Sequence, residues 1–303
     1  MPRPGLTLPT MALVLAIACG APGATPIGGP ASVAVRTALA SGRERFDHGI
    51  WDRLLTGAVR EGRVDYLYLH DRRDRLDEYL QSVATAPLQR LAPAELEALL
   101  LNAYNAYTVQ SVLEHPRIKS IREIAGVWDK ATHKVGGFDL TLDEIEHGIL
   151  RPYFKDPRLH FALNCAARSC PPLPPWAFDG ERIDEQLEER AGTFLGDPAN
   201  VRVERGGLLV PKLLDWYGSD FIASGWRGAA PTVAAYVARY SPREIAAFIT
   251  ARGGRPALGY HGYDWSLNAA PAPALTAPAN LGRAAAAPGD VAKAPAATAS
   301  SPP

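Results

Sequence analysis

The 303-residue sequence carries no net charge, since 32 basic and 32 acidic side chains cancel to +0 at pH 7. No global field therefore draws the chain to nucleic acid or to an anionic membrane. Basic runs with interleaved aromatics are missing too, which argues against a nucleic-acid partner. Past the N-terminal segment, no apolar stretch approaches the ~20 residues that a membrane-spanning helix needs. The sequence has no Gly-rich phosphate loop of Walker spacing, no GxSxG elbow, and neither HExxH nor CxxC. The usual signatures of nucleotide hydrolysis, serine hydrolysis and zinc binding are thereby removed. His133, His147, His160 and the cysteines do not fall at metal-ligand spacings, so neither a metal nor a cofactor is expected. Cysteine itself is scarce, with three in the chain.

What is present begins with an export signal. Arg3 precedes an apolar segment, uninterrupted from Met11 to Ala18, and small residues follow at Cys19, Gly20, Ala21, Gly23 and Ala24. That order predicts a secretory signal over residues 1–24 and a periplasmic or secreted protein. Ala16-Ile17-Ala18-Cys19-Gly20 also resembles a bacterial lipobox, with Ala16 where Leu or Val is usual. Cys19 is thus read either as a lipid anchor or as part of an ordinary cleaved signal. Residues 25–40, poor in charge and without a clear period, read as a linker, and 41–268 as one globular domain. The Ala/Pro-rich stretch 269–303 cannot bury enough apolar surface to offset its ordering entropy and reads as a disordered tail.

Within the domain, helical periodicity runs over 45–59, 75–84, 93–114, 142–154, 184–195, 232–240 and 242–252, with a short helix over 118–124. Pro93 opens the long helix and Pro116 stops it. Hairpins are expected around Gly136-Gly137 and Gly206-Gly207, and strands at 159–164 and 258–267. Thr141-Leu142-Asp143-Glu144 fits a capping box. Helices and strands do not alternate regularly, so the fold class is α+β, with a central buried helix packed on a small, mostly antiparallel sheet and further helices around it.

Three constellations carry chemistry. The helix through Leu99–Tyr107 is apolar nearly all round, yet holds Asn102 and Asn105 three apart on one face. Buried amides need partners, so the pair either braces loop backbone or serves a site, Asn102 by orienting a catalytic group and Asn105 by touching substrate. In the helix 142–154, Glu146 falls within the stripe Leu142, Ile145, Ile149 and Tyr153, with His147 at its edge. A carboxylate there must find a cation such as Arg151 or Arg168, accept hydrogen bonds, or enter acid/base chemistry. The third constellation runs from His160 to Pro172. Cys165 sits where the expected strand ends, and Arg168 nearby would favour its thiolate and contact substrate. A strand would put His160 and Cys165, an odd number apart, on opposite faces, which makes His147 a rival base.

These motifs, together with Val64-Asp65-Tyr66 and Tyr263-Asp264-Trp265-Ser266-Leu267-Asn268, resemble the domain-of-unknown-function 547 family over about residues 46–268. The resemblance implies domain limits and a typical His-Phe-Ala-Leu-x-Cys segment, which Cys165 matches. It implies a less constant role for Cys170, and it supplies no mechanism. The leading expectation is a cysteine hydrolase or acyltransferase of papain-like or transglutaminase-like kind, acting on an unidentified small-molecule or peptide substrate. Cys165 would be the nucleophile and His160 or His147 the base, oriented by Glu146 or Asn102. Two alternatives stand beside it. One is a non-catalytic binding module of the cell envelope displaying Trp128, Trp176, Trp216 and Tyr217. The other is a thiol redox protein using Cys165 and Cys170.

Overall fold

The computed structural model describes residues 25–271. The expected signal, with Cys19, and nearly all of the expected tail lie outside them. The organising element is the helix Pro93–Glu114. To number in chain order, the helices are α1 (Gly29–Ser41), α2 (Gly49–Ala58), α3 (Tyr66–His70), α4 (Arg73–Ala84), α5 (Pro93–Glu114), α6 (Ile183–Gly196), α7 (Leu213–Trp216), α8 (Val233–Val237) and α9 (Arg243–Thr250). Pro93 occupies the first turn of α5, where its missing N–H costs nothing. Leu96, Leu99, Leu100, Leu101, Ala103 and Ala106 are fully buried around its circumference, which fits its lack of a polar face.

The fold is α+β, but among the described residues the expected single sheet is three small ones. Strands β1 (Val59–Arg60) and β2 (Arg63–Val64) pair antiparallel, as do β3 (Thr132–Val135) and β4 (Phe138–Thr141). Strand β6 (Gly207–Val210) pairs antiparallel with β5 (Arg202–Glu204) and parallel with β7 (Leu258–Tyr260). Gly136 and Gly137, at φ 59° and 86°, supply the two positive dihedrals of the β3–β4 turn. The strand expected over 258–267 shortens to β7, and beyond it the chain crosses the molecule to meet residues 64 and 166–169.

One core packs α1, α2, α4 and the β3–β4 hairpin around α5. A second gathers α6, β6, α7, α8 and Phe221. Between them runs the helix Glu144–Phe154, which is π-helical rather than α-helical. Its start is the expected capping box: Thr141 N–H donates to Glu144 Oε2 at 2.8 Å and Glu144 N–H to Thr141 Oγ1 at 3.1 Å. The i→i+5 winding brings Glu146 and Arg151 onto one face, both buried.

The expected linker is part of the core. Ala31, Ala34, Val35 and Ala38 of α1 are buried, at the 3–4 spacing of a helix face. Ile27 N–H donates to Gly148 O at 3.0 Å, and a Cβ on Gly148 would overlap Ile27. Alanines carry little apolar area each, so the stripe is faint in sequence. Val35→Asp, which buries an unpaired carboxylate, is expected to destabilise the domain by about 3 kcal/mol or more, whereas Val33→Asp stays within about 0.5 kcal/mol. Val35 is fully buried and Val33 is 54% exposed. Denaturant unfolding checks both, and equal midpoints would return this segment to the status of a linker.

Candidate active site

The segment before Cys165 is not a strand. Pro157–Phe161 forms a 3-10 turn, opened by Pro157 and capped by Asp156, whose side chain accepts from Arg158 N–H. Beyond it the chain is irregular. A short apolar run is compatible with either a strand or a buried helical turn, and here the Asp-Pro start decides. The parity argument against His160 therefore lapses. His160 and Cys165 line the same narrow cleft, with Glu146 of the π-helix in its wall.

The cleft has a volume of about 40 Å³ and lies between the two cores. Tyr104 of α5, Trp216 of α7, Tyr217 and Tyr263 provide aromatic walls, and Cys170 and Pro171 complete the side next to Cys165. Asn164 holds the Cys165 loop. Its Oδ1 accepts from Ala166 N–H at 3.0 Å and from Asn268 Nδ2 at 3.1 Å, while its Nδ2 donates to Pro171 O at 2.8 Å. Ala166 is thereby kept at φ 60°, a left-handed conformation that costs a non-glycine residue about 1 kcal/mol or more. The turn immediately after Cys165 is thus strained and held by three buried amides, counting Asn105.

Asn105 donates to Ala162 O at 3.0 Å and accepts from Asn164 N–H at 2.8 Å. It splints the loop and does not line the cleft. Asn102 makes the matching pair with Phe178, donating to its carbonyl at 2.8 Å and accepting from its N–H at 3.0 Å. Both amides take the bracing alternative, and Asn102 orients no imidazole. Arg168 is half-exposed, outside the cleft, and faces Asp264 at 3.6 Å. His147 also stands outside the lining, 3.7 Å from Glu146 Oε1, 3.9 Å from Asp143 and 3.3 Å from Arg151 Nη1.

His160 is held by a residue that sequence reasoning missed. Its Nε2 lies 2.9 Å from Asp220 Oδ2, and its ring stacks on Tyr217 with centroids 4.0 Å apart. Arg151 grips the same carboxylate with two bonds, Nε to Oδ2 at 2.7 Å and Nη2 to Oδ1 at 3.0 Å. Arg151 therefore bonds Asp220 directly and acts on Glu146 only through its charge. Burial alone would push the Asp220 carboxyl up, but the hydrogen bonds from His160 and Arg151 outweigh it and pull the value down to about 2. Burial lowers the His160 pKa against the pull of Asp220. A neutral imidazole beside an acceptor-only carboxylate must place its proton on Nε2. The free lone pair is then on Nδ1, which lies 3.9 Å from Glu146 Oε1.

Two thiols meet at the other side. Cys165 and Cys170 are both free and buried. Cys165 N–H donates to Cys170 Sγ at 2.9 Å, and the Cys170 thiol reaches Leu163 O at 3.6 Å. The hydrogen bond with Cys170 lowers the Cys165 pKa. Burial opposes it, and the Tyr263 hydroxyl and the Ala167 backbone N–H reinforce it. Burial, with Cys165 beside it, drives Cys170 well upward. The two thiols are thus unequal, one poised toward thiolate and one kept protonated. In this resting arrangement the Cys165 sulfur hydrogen-bonds Tyr263 Oη at 3.3 Å rather than an imidazole.

Trp216, Tyr263 and Trp265 pack on one another with ring centroids 4.5–6.0 Å apart, and Trp128 extends the band at 6.1 Å from Trp265. Trp176 lies elsewhere, edge-on to Phe178. Among the described residues, no group of three or more His, Cys, Asp or Glu side chains is arranged to hold a metal ion, and no helix is long and apolar enough to cross a membrane.

No curated protein and no solved structure matches the chain. The α5 helix, the π-helix and the Cys165 loop all fall within residues 88–195, which match the family model described as Protein of unknown function, DUF547.

Proposed function

We propose that the chain is a cysteine-dependent hydrolase or acyltransferase. The observation that carries this reading is that Cys165 and His160 line one cleft while Asp220 holds the far nitrogen of His160. Nucleophile, base and orienting group then have distinct side chains. Asp220 takes the orienting role that Glu146 or Asn102 was expected to fill. His160 Nδ1 would take the Cys165 proton, and the sulfur would attack an acyl carbonyl. The leaving group would depart with the proton returned by His160, and water or another nucleophile would then release the acyl group from the thioester. Catalytic hydrogen bonds are commonly long before substrate arrives, so the Tyr263 contact is compatible with this sequence. An exported chain, periplasmic or secreted, with or without a lipid at Cys19, would meet peptide, peptidoglycan or other acyl substrates.

A second reading rests on the Cys165–Cys170 contact. As a dithiol, the pair would reduce a substrate disulfide, giving up two electrons and two protons as it closes its own S–S bond. One experiment separates the readings. With p-nitrophenyl acetate as generic acyl donor, mass spectrometry should find one acetyl group on Cys165, absent in Cys165→Ser and retained in Cys170→Ser. Loss of disulfide-reductase activity in Cys170→Ser, with no acetylation in the parent protein, would support the dithiol instead. If neither chemistry occurs, the non-catalytic binding module remains.

A further inference from the structure

A second hollow, of about 590 Å³, shares no lining residue with the Cys165 cleft. Small-molecule sites usually fall between ~300 and ~1,000 Å³. Its two lips are the segments 45–52 and 176–186. Arg45 ties them together, reaching Glu181 at 2.6 Å and Asp179 at 3.4 Å, and Asp52 Oδ1 adds a tie by accepting from Ala177 N–H at 3.0 Å. Buried side chains pin the backbone of the second lip. Asn102 holds both polar groups of Phe178, and Gln186 accepts from Asp179 N–H at 2.8 Å and donates to Ala177 O at 3.0 Å. His48, in the same lining, is fixed through both ring nitrogens, by Tyr79 Oη at 2.9 Å and Glu95 Oε1 at 3.1 Å.

Asn102, Gln186 and Glu95 are 1–2% exposed, and none of them lines the Cys165 cleft. What they do together is hold one concavity rigid. The amide that stood out in the sequence, Asn102, finds its use here. A wall fixed before its ligand arrives loses little to ordering on binding.

The lining states the chemistry of the ligand. Each lip carries one half-buried aromatic ring, Phe46 on the first and Trp176 on the second. Beside them are the carboxylates of Asp47, Asp52 and Asp179 and the guanidinium groups of Arg45 and Arg182. Asp47 and Asp52 each accept one backbone N–H, from Gly49 and Ala177, and a carboxylate has room for more. Arg182 bonds Glu185, Arg45 bonds Asp179 and Glu181, and a guanidinium has more N–H donors than these contacts use. Capacity of both kinds remains. A bare cation would meet the two arginines, and a bare anion the three aspartates. A hydroxyl donates and accepts at once, so a polyol serves both sets. The C–H face of a sugar ring, faintly positive, suits the negative face of an aromatic ring. We propose that this hollow binds a saccharide, with a pyranose ring packed on Trp176 and Phe46 and its hydroxyls shared among Asp47, Asp52, Arg45 and Arg182. The site does not depend on any reaction at Cys165.

Titration calorimetry of the full chain tests the site, with cellobiose, lactose, mannobiose and N,N′-diacetylchitobiose as probes. At least one should bind with a dissociation constant in the millimolar range or tighter. Trp176→Ala should weaken that binding about tenfold or more. Asp47→Ala, at an exposed position, should weaken it in the same direction. Trp265→Ala, which lies outside both linings, should leave it unchanged. Thermal melting of each variant separates lost binding from lost folding. Glycylglycine, which offers an ammonium and a carboxylate to the same side chains, is the rival probe. Failure of every sugar, or an unchanged constant in both Trp176→Ala and Asp47→Ala, overturns the site. Binding of glycylglycine in place of the sugars overturns the ligand class.

Discussion

Replacing His160 by alanine is expected to slow alkylation of Cys165 by iodoacetamide at pH 7 about tenfold or more, whereas His147→Ala changes it less than about threefold. The reason is positional. His160 lines the cleft with Cys165 and is fixed by Asp220, while His147 lies outside that lining beside Asp143 and Arg151. His160→Gln keeps a side chain that can donate to Asp220 without a titrating base, and it should behave like the alanine variant. The pH profile supplies the sign. Cys165 is held below the ordinary thiol value chiefly by its hydrogen bond with Cys170, with Tyr263 assisting. Its alkylation rate should therefore rise through an inflection below that of a free thiol. Cys170→Ala, which removes the donor, should move the inflection upward. Equal rates in the parent and both His160 variants would remove His160 as the base acting on Cys165 and with it the hydrolase.

The parts of this arrangement encoded locally were legible in the sequence. Pro93 and Pro116 bracket α5, the Gly136-Gly137 pair makes the β3–β4 turn, and the Thr141–Glu144 box starts the next helix, because each depends on residues a few positions apart. The all-round apolar character of α5 announced both its burial and the need for partners at Asn102 and Asn105. Their choice of partner was not legible, since Phe178 and Ala162 are distant in sequence. Glu146 was placed by periodicity in the buried stripe, and the structure puts it in the cleft wall. The π winding that pairs its face with Arg151 leaves no mark in composition.

The failures have physical causes as well. The run Leu159–Leu163 is apolar whether it forms a strand or a buried 3-10 turn, so the inference about His160 and Cys165 facing apart rested on the wrong repeat. Asp220 escaped notice because it lies in a polar-looking segment, Gly218-Ser219-Asp220, 60 residues from His160. Only tertiary packing brings Asp220, at 4% exposure, between His160 and Arg151. One signal was available: Arg151 sits on a helix whose inward residues are apolar apart from Glu146, and a buried guanidinium requires a carboxylate somewhere.

That requirement makes Asp220 the side chain whose loss should be felt most. Asp220→Ala strands the Arg151 guanidinium, 2% exposed, and leaves His160 Nε2 without its acceptor. Breaking a buried pair from one side costs about 3–5 kcal/mol, and the orphaned imidazole adds about 1 kcal/mol or more. Arg151→Met should cost a similar amount by leaving Asp220 without a guanidinium, held by His160 and the Ser219 hydroxyl. The double variant Arg151→Met with Asp220→Leu leaves no uncompensated charge, so its loss should fall well short of the sum, and a coupling of about 2 kcal/mol or more is expected from the cycle. Acidity should reproduce the effect in the parent protein. Asp220 titrates at about 2 when folded, below its ordinary value near 4. Its contribution is therefore complete above pH ~4 and is lost as the pH falls through that folded value. The Asp220→Leu background should lack this part of the acid response. Strict additivity in the cycle, together with an unchanged acid profile in Asp220→Leu, would mean that Arg151 and Asp220 do not hold His160 as a unit. The orienting role assigned to Asp220 would then fall even if Cys165 proved reactive.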